Sequence, residues 1–195
     1  MSGKSELRRI FIAIDLSEEA RSVCAAHVES LRRGFPRARV GWERPEKLHI
    51  TLKFLGPTTE DTLAELLKKL EQVSSLQPGR LRLSVPGVFP SKNRPRILWV
   101  GADDREAFAA RANALVEDVC GSLGFETDDR RFTPHITIGR VRDPNSAREL
   151  VAAHLDAQIE PVEFEADSLA VYESKLLPTG SVYSVVARFS GAVSR

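Results

Sequence analysis

The sequence lacks any long hydrophobic run, and its first residues lack the apolar segment of a signal peptide. No apolar stretch in its 195 residues approaches the ~20 residues that a transmembrane helix requires. Hydrophobic residues make up 42% and charged residues 28% of the chain, a mixture typical of a soluble globular protein. We therefore expect no contact with a membrane and a cytoplasmic location.

Cysteine is scarce, and net charge is nearly absent. The two cysteines, Cys24 and Cys120, fall in segments with helical periodicity and lack the spacing of metal ligands, which predicts free thiols. A net charge of +1 does not indicate a general nucleic-acid binder, so any affinity for phosphate must come from a local cluster. We expect no cofactor, and we expect a monomer.

A short peptide is present twice, and the chain has only four histidines, two of which lie in these copies. Both copies read His-Ile-Thr-aliphatic, at His49–Leu52 and at His135–Ile138. Because side chains alternate along a β-strand, each histidine shares a face with the threonine two residues later, while the isoleucine points to the opposite face. Each motif thus presents an imidazole and a hydroxyl on one side and buries its apolar side.

The same alternation places three further residues. Lys53 is predicted on the face of His49 and Thr51, whereas Phe54 is predicted on the opposite, apolar face. Arg140 is predicted on the face opposite His135, and it reaches the histidine side only if the strand ends or bulges at Gly139.

The pattern of elements predicts a duplicated α+β fold. Each motif strand lies between two helices, which begin near Ser17, Thr58 or Thr59, Asp103 or Asp104, and Pro144. The other strands are predicted at about 8–16, 38–42, 80–88, 96–100, 162–172 and 181–189. We expect one domain over residues 1–195, built as two pseudo-twofold lobes with two mainly antiparallel sheets. The central cleft would carry both motifs.

Two histidines and two hydroxyls facing one another suit a phosphoryl centre. A neutral histidine can accept a proton from an attacking water while a protonated one gives a proton to the leaving alkoxide, and each act contributes ~10²–10⁴ in rate. One alternative is that both are structural strand histidines held by backbone partners. A metal site is another alternative, but neither motif has an acidic residue on its predicted histidine face, so no metal is expected.

The sequence around both motifs resembles a known family, the 2H phosphoesterases, and within it the RNA 2′,3′-cyclic phosphodiesterases, also called 2′-5′ RNA ligase-like proteins. The resemblance covers almost the whole chain. It is carried by residues 9–16, 49–56, 131–140, 172–176 and 180–183. It implies a bilobal pseudo-twofold fold and metal-independent hydrolysis of a terminal 2′,3′-cyclic phosphate on RNA to a 2′-phosphate.

Residue roles follow from the same resemblance. His49 matches the family's proton donor and His135 its proton acceptor, although the residues alone do not assign which is which. Thr51 and Thr137 would hold the phosphate, and Arg140 resembles the family's phosphate- or substrate-binding arginine.

Other candidate substrate-binding residues come from position alone. Lys53 has the parity to face the phosphate, and Phe132 is a candidate ring for stacking a base, as are Tyr172 and Tyr183. A basic rim for an RNA strand is predicted at Lys92, Arg94, Arg96, Arg130 and Arg131. The expected substrates are RNA ends with a 2′,3′-cyclic phosphate or small cyclic nucleotides.

Two other functions remain open from the sequence. The reverse chemistry would join a 2′,3′-cyclic phosphate to a 5′-hydroxyl in a 2′-5′ bond with the same acid and base. A non-catalytic nucleotide- or RNA-binding module is the alternative from another class, although both histidines and both threonines are intact.

Overall fold

A computed structural model describes residues 7–71, 76–128, 130–178 and 180–190. The elements are β1 (Arg8–Asp15), α1 (Glu18–Gly34), β2 (Val40–Trp42), a 3₁₀ turn (Pro45–Lys47), β3 (His49–Thr58), α2 (Glu60–Leu70), β4 (Gly79–Phe89), β5 (Ile97–Asp103), α3 (Phe108–Ser122), β6 (His135–Val141), α4 (Arg148–Asp156), β7 (Glu163–Ala166), β8 (Ser168–Leu177) and β9 (Gly180–Ser190). The order helix, motif strand, helix therefore occurs twice, as predicted.

Capping side chains define where the first two helices begin. The Ser17 hydroxyl accepts a hydrogen bond from the Ala20 amide at 3.1 Å, and the Thr59 hydroxyl accepts one from the Thr62 amide at 3.2 Å. The third helix begins at Phe108, later than predicted, because Ala107 adopts a left-handed conformation with φ of 54°. The loop that precedes this helix is therefore longer than the sequence pattern indicated.

The strands form an antiparallel sheet in the order β7-β4-β5-β6-β3-β1-β8-β9, with β2 paired to β6. The mixed α+β fold with antiparallel pairing is confirmed. The two motif strands, β3 and β6, are central neighbours, and their pairing is limited to Ile50 and Ile136. This contact joins the two expected halves into one hydrogen-bonded sheet and brings the motifs side by side.

The predicted strand at 162–172 is wrong as a single element. It consists of β7, which pairs with β4, and β8, which pairs with β1 in the other half of the sheet. Asp167 lies between them. β7 alternates exposed and buried residues, and β8 has the apolar run Leu169–Val171 near its start. Both patterns are compatible with one continuous strand, so the local sequence gives no sign that the chain crosses from one half to the other.

One face of the sheet is buried under the helices. Ile10, Ile12, Ile14, Ile50 and Ile136 are all less than 2% exposed and belong to one continuous hydrophobic cluster. Both cysteines are buried and free, in α1 and α3, and burial raises the pKa of each thiol to about 12. In the described residues no helix has the length and apolarity to cross a membrane.

Candidate active site

The pairing of Ile50 with Ile136 determines where the motif side chains lie. Both isoleucines are fully buried on the helix-covered face. Their neighbours in each strand, His49 with Thr51 and His135 with Thr137, therefore point to the other face. In an antiparallel pair the residues flanking a paired position lie next to one another across the two strands. All four predicted motif side chains are thus placed on one face around one strand junction.

Each histidine is oriented by a carbonyl group two residues upstream. His49 Nδ1 lies 2.6 Å from the Lys47 carbonyl oxygen, and His135 Nδ1 lies 2.8 Å from that of Thr133. A carbonyl only accepts, so Nδ1 is the donor in both rings. Nε2 is then the nitrogen left for chemistry, as a lone pair in the neutral ring or as an N–H in the protonated one. His49 Nε2 lies 3.0 Å from the Thr51 hydroxyl oxygen.

Burial lowers the pKa of both histidines from the ordinary value of 6.5. The carbonyl of Lys47 and the carboxylate of Asp15 act in the opposite direction on the pKa of His49, whereas Arg21 and His135 lower it further. For His135 the hydrogen bond to Thr133 partly offsets the effect of burial. Both rings therefore favour the neutral form. His135 lowers the pKa of His49 because the two imidazoles are near enough to interact electrostatically.

Aromatic rings from three strands surround His49. Phe11 stacks on the imidazole with ring centroids 4.9 Å apart, and Tyr172 stacks in turn on Phe11 at 5.1 Å. Tyr183 contacts His49 edge-on at 5.8 Å, and the ammonium of Lys47 lies 5.1 Å from the Tyr183 ring centroid. The rings exclude water from one side of His49 and account for the large desolvation of this imidazole.

His135 has its own pair of rings. Phe89 meets it edge-on with centroids 5.0 Å apart, and Trp99 does so at 6.0 Å. Trp99 lies against Gly87, where an added Cβ would be 2.1 Å from the indole ring. Glycine is therefore required at position 87 for Trp99 to pack beside His135.

A β-bulge after the first motif reverses the predicted alternation. Along β3, Thr51 pairs with Ala13 and Lys53 with Ile12, so Leu52 is an extra residue. The prediction that Lys53 faces the site is wrong. Its ammonium is buried on the other face, where it contacts Glu117 at 2.6 Å and the Glu126 carbonyl at 2.7 Å.

The same bulge moves Phe54 to the histidine side. Phe54 pairs with Phe11, stacks on it at 6.4 Å, and is 54% exposed, which is also contrary to the prediction. The guanidinium of Arg9 lies 5.4 Å from the Phe54 ring centroid.

The second motif strand has a bulge at the equivalent position. Thr137 pairs with Trp99 and Gly139 with Leu98, so Ile138 is the extra residue. Arg140 is thereby returned to the His135 face, which meets the condition that the sequence set for it. Its guanidinium is 62% exposed and lies 3.5 Å from the Glu43 carboxylate.

The comparisons with known proteins agree with this arrangement. The sequence profile of the 2′-5′ RNA ligase superfamily matches residues 20–176, most of the chain and both motifs. The chain belongs to this superfamily.

This chain matches curated relatives over nearly the whole length of both proteins. The RNA 2′,3′-cyclic phosphodiesterase of Methanocaldococcus jannaschii is 33% identical over 181 residues, which covers 91% of this chain and 98% of that protein. The protein of the same name from Thermotoga maritima is 33% identical over 195 residues, with coverage of 96% and 98%.

Solved structures show the same fold. The protein TT0787 of Thermus thermophilus superimposes with a TM-score of 0.73 at 30% identity, covering 93% of this chain and 97% of that one. Escherichia coli LigT complexed with 3′-AMP gives a TM-score of 0.72 at 22% identity, covering 95% and 98%. At that identity, the likeness to LigT concerns the fold.

Phe132, predicted to bind substrate, has a half-buried ring that packs against the hydrophobic core, and its role in binding stays a prediction. The rings around the histidines are instead Phe11, Tyr172, Tyr183, Phe89 and Trp99. Of these, the sequence had singled out the two tyrosines.

Members of the predicted basic rim are exposed. Lys92, Arg94 and Arg96 lie in or beside the connection between β4 and β5. Arg130 is 87% exposed and paired with Asp128 at 2.6 Å. In the described ranges, no group of three or more His, Cys, Asp or Glu side chains is close enough to hold a metal ion.

Sequence reasoning missed Asp15 and Glu43, two carboxylates that reach the site from other segments of the chain. Asp15 is the β1 residue that pairs with His49, and Glu43 follows β2 and pairs with Arg140. The signal for Asp15 was its position at the end of a buried apolar strand, where a charged residue is unusual.

Proposed function

We propose that this protein is an RNA 2′,3′-cyclic phosphodiesterase that uses His49 and His135 as an acid–base pair without a metal ion. The observation that carries the proposal is the placement of both histidines on one sheet face, each with Nδ1 held by a carbonyl and Nε2 left for proton transfer. The names of the curated relatives support the same reaction.

The reaction follows from these two nitrogens. His135 Nε2, as a lone pair, accepts a proton from water, and the water oxygen forms a bond to phosphorus. The bond between phosphorus and the 3′-oxygen breaks, and the leaving 3′-oxygen takes the proton from His49 Nε2. The product is a 2′-phosphomonoester with a free 3′-hydroxyl. His135 is then protonated and His49 neutral, and exchange with solvent restores the starting state.

Thr51 and Thr137 hold the non-bridging phosphate oxygens in this proposal. Each hydroxyl lies on the histidine face of its strand, and the contact of Thr51 with His49 Nε2 shows that the two groups reach the same position. Arg140, brought to this face by the bulge, would balance the charge that builds on the phosphate in the transition state.

The decisive experiment is incubation of the protein with 2′,3′-cyclic AMP in excess EDTA, with the products separated by chromatography. Formation of 2′-AMP at a rate unchanged by EDTA supports the proposal. Formation of 3′-AMP would reverse the assigned leaving group. Activity lost in EDTA and restored by a divalent metal would overturn the metal-free mechanism.

A second candidate activity is 2′-5′ ligation, favoured by the superfamily to which the chain belongs. Attack on phosphorus by a 5′-hydroxyl in place of water uses the same acid and base. Two RNA fragments, one with a 2′,3′-cyclic phosphate and the other with a 5′-hydroxyl, test it. A joined product resistant to a 3′-5′-specific nuclease would establish ligation.

A further inference from the structure

The two histidines differ in the residue that faces each of them across the strand pair. Asp15 of β1 pairs with His49 of β3, and Gly101 of β5 pairs with His135 of β6. These positions correspond in the two halves, because each precedes the crossover helix to its motif strand. One histidine therefore has a carboxylate beside it, and the other has no side chain there.

Packing prevents a carboxylate at the second position. A Cβ added to Gly101 would lie 2.7 Å from the Ser84 hydroxyl and 3.2 Å from the Val85 carbonyl oxygen. The asymmetry between the histidines is thus part of the fold, since a side chain at residue 101 would displace β4.

The Asp15 carboxylate is held on both oxygens. The Tyr172 hydroxyl donates to Oδ1, and the Arg188 guanidinium pairs with Oδ2. The Tyr172 ring stacks on Phe11, which in turn stacks on His49. A single tyrosine therefore links the position of the carboxylate to the aromatic stack that orients the imidazole.

Charged and polar groups from several elements act on His49. Those that favour its protonated form are Asp15 of β1 and the carbonyl of Lys47, and those that oppose it are Arg21 of α1 and His135 of β6. Tyr183 and Tyr172 present rings to it from β9 and β8. Asp15 is therefore the carboxylate in this set that can offset burial and the two positive neighbours.

We infer that Asp15 acts through His49: its carboxylate, held by Tyr172 and Arg188 on the residue that pairs with His49, stabilises the protonated imidazole at this histidine and not at His135. This inference rests on the proposed function, in which His49 gives its proton to the leaving oxygen. It gives a physical reason why two similar motifs perform opposite proton transfers.

The test combines histidine titration with kinetics of Asp15→Asn, which keeps the size of the side chain and removes its charge. In protein labelled with ¹⁵N-histidine, NMR follows each imidazole against pH. His49 in the variant should titrate about one pH unit below wild type, while His135 moves by less than about a third of that. A unit corresponds to a tenfold change in the protonation equilibrium.

Kinetics provide the second readout with 2′,3′-cyclic AMP as substrate. The alkaline limb of kcat/KM should move to lower pH by a similar amount, so that activity falls about tenfold above the limb. Below the limb it should stay within about twofold of wild type. Glu29→Gln is the matched control, because it also removes a carboxylate paired with an arginine, here Arg33 on α1, and it should change neither readout.

The outcomes separate this inference from the proposed function. The inference is overturned if the titration of His49 does not shift in Asp15→Asn, or if kcat/KM falls uniformly at every pH. In both cases the proposed function still stands as long as the wild-type protein hydrolyses the substrate. A wild-type protein that does not hydrolyse the substrate overturns the function, and the NMR result still decides the role of Asp15. If Asp15→Asn does not fold, Tyr172→Phe, which retains the ring, should give a smaller shift of His49 in the same direction, and no shift overturns the inference.

Discussion

At the scale of the residue, the carbonyls of Lys47 and Thr133 decide which nitrogen of each motif histidine does chemistry. Both bond to Nδ1, so Nε2 of both rings points to the same side of the sheet. The arrangement is local, since each carbonyl lies two residues before its histidine, in the segment that leads into the motif strand. The orientation of both rings therefore depends on the chain just before each motif.

Replacing either His49 or His135 with Ala should lower kcat by at least ~10²-fold, because each removes an acid or a base. The double variant should be little worse than either single one if the two act as a unit. Measurement with 2′,3′-cyclic AMP, with circular dichroism to check folding, tests this. Near-wild-type turnover by one single variant would remove that histidine from the mechanism.

At the scale of the element, a β-bulge follows each motif and determines which later residues reach the site. One extra residue, Leu52 or Ile138, exchanges the faces of the residues that directly follow it. Lys53 is turned into the interior, and Arg140 is turned to the face of His135. Strict alternation from the sequence was correct up to Leu52 and Ile138, which are buried as predicted, and failed at the residue that follows each of them. The bulge is a property of strand pairing and has no local signature in either motif.

Lys53→Met should destabilise the protein without weakening substrate binding. The substitution leaves the Glu117 carboxylate, which is 16% exposed, without its partner. Breaking one side of a buried ion pair costs about 3–5 kcal/mol of unfolding free energy. Urea denaturation measures this, and the double variant Lys53→Met, Glu117→Leu should recover part of the loss. Unchanged stability together with a raised KM would return Lys53 to the substrate site.

The helices α1 and α4 are bridged by the two histidines that lie outside the motifs. His27 Nε2 lies 2.9 Å from His154 Nδ1, and His154 Nε2 lies 3.0 Å from the Gly87 carbonyl. The carbonyl makes Nε2 of His154 a donor, so its Nδ1 accepts a hydrogen bond from His27 Nε2–H. This chain requires a neutral His154, whereas His27 needs only the proton on its Nε2. Burial and the neighbouring His154 lower the pKa of His27 to about 4.

This bridge predicts a loss of stability in acid. Below the ordinary pKa of 6.5 the unfolded chain binds a proton at His27 that the folded chain does not. The contribution of neutral His27 to the unfolding free energy is therefore fully present above pH 6.5 and is lost as the pH falls toward 4. Because solvent screens this partly exposed ring, protonation of His27 lowers the unfolding free energy by about 2 kcal/mol.

Urea unfolding of wild type and His27→Gln at several pH values tests the prediction. The glutamine amide can still donate to His154, but it does not titrate. The variant should lose less stability than wild type between neutral pH and the acid range. Parallel stability curves for the two proteins would show that the pair contributes nothing to acid sensitivity.

At the scale of the whole molecule, near-zero net charge means that binding depends on where the charges lie. In the proposed function Arg140 and the two threonine hydroxyls bind one terminal phosphate, whereas Lys92, Arg94 and Arg96 lie in the β4–β5 connection as exposed side chains. A mononucleotide would use the first group, and a longer RNA would reach the second as well.

Salt dependence should therefore differ between substrates. Each phosphate neutralised on a single strand contributes about −0.7 to the slope of log affinity against log salt. Changing Arg94 and Arg96 together to Ala should flatten the slope for an oligonucleotide by roughly one to two units and leave hydrolysis of 2′,3′-cyclic AMP unaffected.

The matched control removes Arg32 and Arg33, two exposed arginines at the end of α1, and should leave both slopes unchanged. Equal slopes for mononucleotide and oligonucleotide in the wild type would show that the β4–β5 arginines are solvated surface.

The sequence by itself determined the features that depend on neighbours along the chain. It established the two motifs, the shared face of each His–Thr pair, a cap at Ser17 and one at Thr58 or Thr59, and the repeated order of helix, motif strand and helix. Alternation and capping act over two to four residues, so they can be recognised without knowing what lies across the sheet.

Tertiary structure alone decided the features that depend on pairing between distant segments. It separated β7 from β8, set the bulges that moved Lys53 and Arg140, and placed Asp15 beside His49 and Gly101 beside His135. The register between two strands is fixed by side-chain packing over the whole sheet. For that reason the difference between the two histidines, which look alike in the sequence, arises from the residues that pair with them.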